Sequence, residues 1–129
     1  MKVFLSYASE DRGPAHVIAD ALRDDGHDVY PADHWPMDVR AAMKRAEAFV
    51  VLLSPAALSS PYVNEEIRQA LVLERFADRV IPVILRPSPH IPWILQTMQP
   101  IPADPSPKTA AHMINERLQR PDAADSTAR

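Results

Sequence analysis

The stretch AFVVLLS, residues 48 to 54, is apolar at every position up to its closing serine. Alternation of apolar and polar residues would mark a strand with one wet face. An unbroken run marks a strand covered on both faces, as at the centre of a parallel sheet. Upstream, KVFLS (2 to 6) reads as a buried strand of the same kind. YASEDRGP follows as a polar loop. Pro14 to Asp25 then carries Val17, Ile18, Ala21 and Leu22 at helical spacing, with Gly26 placed as a C-cap. HDVY (27 to 30) is a brief second strand, and PADHWP a loop. Met37 to Glu47 forms a helix with Val39, Met43 and Ala46 on one face.

Downstream of the central run, PAALSS reads as a loop and Pro61 to about Phe76 as a third helix. RVIPVILR (79 to 86) is a fourth strand, in which Pro82 removes a ladder donor and points to an edge or a bulge. Residues 87 to 107 are proline-rich and irregular, with a short strand near Met98 to Ile101. Thr109 to Leu118 is the last helix, and RPDAADSTAR a frayed tail. Strands and helices alternate. The expectation is an α/β, flavodoxin-like three-layer domain. It has a central parallel sheet of four or five strands and helices on both faces. Ligands in such sheets sit beyond the C-terminal strand ends, so function belongs to the strand-to-helix loops.

Composition narrows the function. A chain of 129 residues suits one domain with one core, and its 47% apolar and 24% charged content is ordinary for a soluble protein. A net charge of −3 gives no basic surplus to recruit nucleic acid. With no cysteine, disulfides, thiolate metal sites and a cysteine nucleophile are excluded, a composition that fits a reducing cytoplasm. There is no signal-peptide run and no apolar span long enough for a bilayer. Only two glycines, Gly13 and Gly26, are present among 129 residues, so neither a Walker loop nor a GxGxxG loop can be written. The GxSxG elbow is absent as well. The histidines at 16, 27, 34, 90 and 112 show no metal spacing and read as surface residues. Asp11 beside Arg12 reads as a loop ion pair worth little. Trp93 reads as core.

SSPYVNEEIRQAL (59 to 71) contains the sharpest candidate. Ser60 reads as an N-cap with Pro61 at the first helical position. At about 100° per residue, Val63, Ile67, Ala70 and Leu71 define a buried arc. Glu66 falls inside it, whereas Glu65 points to water, where the helix dipole alone accounts for it. Glu74 also falls in the arc, but about 12 Å further along the axis at roughly 1.5 Å per residue, away from the loop end. Only Glu66 is turned inward near the ligand rim. By periodicity alone it has two readings, a structural ion pair or a group meeting substrate.

VFLSYASED (3 to 11), AFVVLLSPAALSSPYVNEEI (48 to 67) and RVIPVIL (79 to 85) together resemble the Toll/interleukin-receptor (TIR) domain family, particularly its bacterial stand-alone members. The resemblance spans residues 1 to 119, leaving 120 to 129 as a disordered tail. The middle block is the most specific: a strand ending in Leu53, Ser54 and Pro55, a serine-rich loop, the aromatic Tyr62, then Glu66. Enzymatic members cleave NAD+ at the nicotinamide–ribose bond, and the resemblance assigns Glu66 as the catalytic carboxylate. One carboxylate suffices chemically. Nicotinamide leaves as a neutral molecule without a general acid, and a single anion can stabilise the oxocarbenium-like ribose.

The resemblance further places Ser6, Tyr7, Ala8, Asp33, Trp35 and Tyr62 at the substrate. Tyr7 either holds the adenine or ribose or caps the core as a rim aromatic, and Trp35 either stacks on a base or covers the sheet edge. The second loop, VYPADHWPMD, is short and lacks the family's glycine. NAD+ is implied as substrate, with no cofactor and no metal. Self-association through TIR–TIR contacts is implied, as is a separately encoded effector that reads a nucleotide signal. A cytoplasmic protein of bacterial stress or antiphage defence follows, giving ADP-ribose or a cyclic or variant product. The rival readings are a non-enzymatic TIR scaffold and a nucleotide-binding module without turnover.

Overall fold

The structure is a computed structural model, and it describes residues 1–31, 36–73, 76, 79–88, 90–103 and 106–119. Five strands are described: β1 (Lys2–Ser6), β2 (Asp28–Pro31), β3 (Ala48–Leu53), β4 (Val80–Ile84) and β5 (Ile101–Pro102). They form one sheet in the order β2-β1-β3-β4-β5, every neighbouring pair parallel. All six residues of β3 are buried, as its unbroken apolar run requires. The helices are α1 (Arg12–Asp24), α2 (Pro36–Arg45), α3 (Pro55–Leu58), α4 (Pro61–Leu71), α5 (Trp93–Gln96) and α6 (Pro107–Leu118).

Strand side chains alternate between faces. Val3, Leu5, Ala48, Val50 and Leu52 therefore point to one layer, where they meet Ile18 and Leu22 of α1 and Ile114 of α6. Phe4, Phe49, Val51 and Leu53 point to the other, against Met43 of α2, Ala57 of α3, Val63 and Ile67 of α4 and Leu95 of α5. The Phe4 and Phe49 rings stack at 5.7 Å between centroids, and Phe76 lies 6.2 Å from Phe49. These two clusters are the core.

Several elements depart from expectation for identifiable reasons. PAALSS is not all loop, because Pro55–Leu58 closes a single helical turn too short to show periodicity. The helix starting at Pro61 ends at Leu71 rather than near Phe76. The Leu73 N–H and the Phe76 N–H each bond three residues back, and these turns bring Phe76 into the core. Leu71, placed on the buried arc by its angle, is 38% exposed at that helix end. Pro82 lies within β4, which has neighbours on both sides. The Phe49 N–H bonds Arg79 O and the Leu85 N–H bonds Leu53 O, so odd-numbered residues of β4 face β3. Pro82 thus turns its missing donor toward β5, which pairs only with Val83 and Ile84. Trp93, expected in the core, is 73% exposed, because the short α5 buries Leu95 instead.

Candidate functional site

The sheet order reverses direction between β1 and β3: from β1 the chain crosses to β2 on one side, and later to β3 on the other. A crevice at the C-terminal ends of β1 and β3 is where doubly wound sheets take ligands. Ser6 is the last residue of β1 and lies beside Val51 of β3. It follows Phe4 on the alternating pattern, so it faces the α4 layer. Its hydroxyl donates to Glu66 Oε1 at 2.6 Å, joining residues 60 apart in the chain.

Glu66 is placed there by α4. Ser60 accepts the Val63 N–H at 3.3 Å, and Pro61 starts the helix. From that start Val63, Glu66, Ile67 and Ala70 are buried on one face. Glu66 is 6% exposed. Glu65 is exposed, and its carboxylate binds Arg68 Nη1 at 2.6 Å and Gln69 Nε2 at 3.2 Å along the helix surface. Burial pushes the Glu66 carboxyl up from an ordinary 4.5 to about 7, while the Ser6 hydrogen bond acts in the opposite sense. A group so poised exists in both charge states near neutrality, a frequent mark of a functional carboxylate.

A second serine–carboxylate bond lies at the same strand ends. Asp11, in the turn Ser9–Asp11, is 1% exposed and accepts from Ser54 Oγ at 2.5 Å. Ser54 is also buried, and its oxygen accepts the Ala57 N–H at 3.0 Å as the N-cap of α3. Asp11, read from the sequence as half of a loop ion pair with Arg12, is buried and bonded to Ser54. Its place after a strand gave no periodic signal, and burial of an acidic residue beside an arginine has no local sequence mark.

The other anticipated residues divide. Ala8 is buried in the same layer as Glu66. Tyr62, four residues before Glu66 on α4, is 74% exposed and free to meet a ligand. Tyr7 is one step out of phase with Ser6, and its ring is buried in the cluster beneath α1 and α6, so the fold does not bring that ring to Glu66. Asp33 and Trp35 lie outside the described residues, as do His34, Glu74 and the tail 120 to 129. His27 is not a surface histidine. It is 9% exposed, with Nε2 at 2.7 Å from Asn115 Oδ1 of α6. An open groove of about 590 Å³ runs along the outer edge of β2, lined by Arg23, Gly26, His27, Asp28, Val29 and Tyr30. It contains none of the anticipated site residues. Among the described residues, no group of three or more histidines and carboxylates is arranged to hold a metal, and no helix is long and apolar enough to cross a membrane.

The family model for the TIR domain matches residues 3–118. The chain belongs to the TIR family. No curated protein matches it. A similar solved structure is the crystal structure of the TIR domain of the Toll-related receptor TRR-2 from Hydra magnipapillata. The two are 20% identical, the match covers 91% of this chain and 94% of that one, and the TM-score is 0.72. At that identity the likeness speaks for the fold. This TIR domain therefore carries its buried glutamate at the switch point of a sheet ordered as in flavodoxin.

Proposed function

We propose that this TIR domain cleaves NAD+ at the nicotinamide–ribose bond, with Glu66 as the catalytic carboxylate. The observation that carries the reading is a buried carboxylate at the switch point, oriented by the Ser6 hydroxyl at 2.6 Å and raised to about 7 by burial. A cationic pyridinium approaching Glu66 favours its ionised form. The anion then stabilises positive charge that develops on the ribose carbon as neutral nicotinamide departs. Water, an internal atom of the nucleotide or another base can accept the ribosyl carbon, giving ADP-ribose, a cyclic product or an exchanged dinucleotide. Ser6 orients Glu66, and Ala8 and Tyr62 border the substrate together with Asp33 and Trp35. Activation by self-association, a cytoplasmic location and a role in bacterial stress or antiphage defence accompany this reading. So does a separate effector that reads the product.

The test is nicotinamide release from NAD+ by concentrated purified protein. Glu66→Ala lowers release by roughly 10²- to 10³-fold, the usual cost of losing a group that stabilises transition-state charge. Glu65→Ala, which only breaks surface contacts, retains near-normal release. Equal rates in the two variants refute the assignment. The second reading is a non-enzymatic TIR scaffold, which would share the fold and need no carboxylate at residue 66; the similar Hydra structure is the TIR domain of a receptor. Wild type that binds other TIR domains yet releases no nicotinamide supports the scaffold.

A further inference from the structure

The chemistry proposed for Glu66 leaves Asp11 without a task, yet Asp11 is the more deeply buried of the two acids. It stands at the N-cap of α1, where an aspartate ordinarily turns onto the first amides of its own helix. No such bond is made. Its carboxylate instead accepts from Ser54, 43 residues away, at the same strand ends where Ser6 bonds Glu66. The Ser54 hydroxyl gives its single proton to Asp11, and its oxygen accepts the Ala57 N–H.

The chain from Ser54 to Glu66 is tightly cross-bonded. The Leu58 N–H bonds Ser54 O, the Ser60 N–H bonds Ala57 O, and the Asn64 N–H bonds Ser60 O. The Asn64 side chain also donates to Leu58 O at 3.0 Å. A displacement at Ser54 is therefore transmitted to α4. Among the described residues, two side-chain hydrogen bonds tie this unit to the β1 end. One includes the reactive carboxylate itself and is disturbed whenever Glu66 engages a ligand. The other does not.

We infer that Asp11 is a positioning residue: through Ser54 it anchors the α3–α4 unit to the end of β1 and keeps Glu66 buried and aligned at the crevice. This rests on the NAD-cleaving reading for its functional consequence, though not for its geometry. The experiment follows the Glu66 carboxyl by carbon NMR titration, assigned with Glu66→Gln, in wild type, Asp11→Ala, Ser54→Ala and Ser54→Thr, with NAD+ cleavage measured alongside.

Loss of the anchor admits water, so in Asp11→Ala and Ser54→Ala the Glu66 midpoint falls from about 7 toward 4.5. In the same variants kcat drops roughly tenfold to a hundredfold with KM little changed, and the neutral-pH limb of the rate profile moves with the midpoint. Ser54→Thr, which keeps the hydroxyl, restores both. An unmoved midpoint in Asp11→Ala and Ser54→Ala overturns the inference, as does Ser54→Thr behaving like Ser54→Ala. Should Asp11→Ala fail to fold, the two Ser54 variants decide alone. Titration needs no turnover. A protein that cleaves no NAD+ but shows the midpoint shift refutes the enzyme reading and keeps the anchor.

Discussion

Glu66 loses hydration when the chain folds, and a neutral carboxyl tolerates that loss better than an anion does. Below about pH 4.5 the group is protonated both folded and unfolded, and it imposes no charge penalty. Between 4.5 and about 7 the unfolded chain releases the proton while the folded chain keeps it. The folded state then binds more protons, so stability falls as pH rises through this window and levels off above it. At about 1.4 kcal/mol per pH unit, the full penalty is on the order of 3 kcal/mol. Glu66→Gln removes it. Thermal melts should find Glu66→Gln more stable than wild type near about pH 8, with the gap closing near about pH 4. Catalysis needs the anion, so kcat/KM for nicotinamide release, which follows the free enzyme, should instead rise with pH through about 7. A kcat/KM flat across that range contradicts the assignment. Glu65, one residue away, is exposed and bonds Arg68 along the helix surface.

Three helices start on the same device. Ser54, Ser60 and Ser106 each accept an N–H three residues on, and each precedes a proline at the first helical position. Ser60→Ala should cost about 1 kcal/mol in chemical denaturation, the ordinary value for a lost cap. Ser54→Ala should cost more, on the order of 2–3 kcal/mol, because it also leaves the buried Asp11 carboxylate without its donor. Equal losses at the two positions would show that the Asp11 bond contributes little. At the other end of α1, the Gly26 N–H bonds Arg23 O and the His27 N–H bonds Leu22 O, a Schellman closure with Gly26 at φ +94°. A Cβ there meets nothing within 4 Å. Gly26→Ala should therefore cost about 1–2 kcal/mol through backbone strain alone, as measured by the denaturation midpoint.

At the scale of the molecule, the parallel order β2-β1-β3-β4-β5 brings two separate loops together at the C-terminal ends of β1 and β3. Phe49 sits on the central strand with no exposure, between the rings of Phe4 and Phe76. Phe49→Ala should cost about 3–5 kcal/mol by leaving a cavity that the flanking layers cannot close. Trp93→Ala, with the ring 73% exposed, should change stability by about 0.5 kcal/mol or less. Denaturation midpoints of the two variants check both.

The amino-acid pattern by itself determined the central strand, the alternation of strands and helices, the Ser60 cap, and the opposite fates of Glu65 and Glu66. Each of these follows from local periodicity or local hydrogen bonding, which depend on residues a few positions apart. The tertiary structure decided the Ser6–Glu66 and Ser54–Asp11 bonds, the burial of Tyr7 away from Glu66, the exposure of Trp93 and the union of His27 with Asn115. Those contacts join residues distant in sequence, and their partners are set by strand register and by which layer each side chain enters. No local pattern encodes that choice, because it exists only once the sheet has assembled.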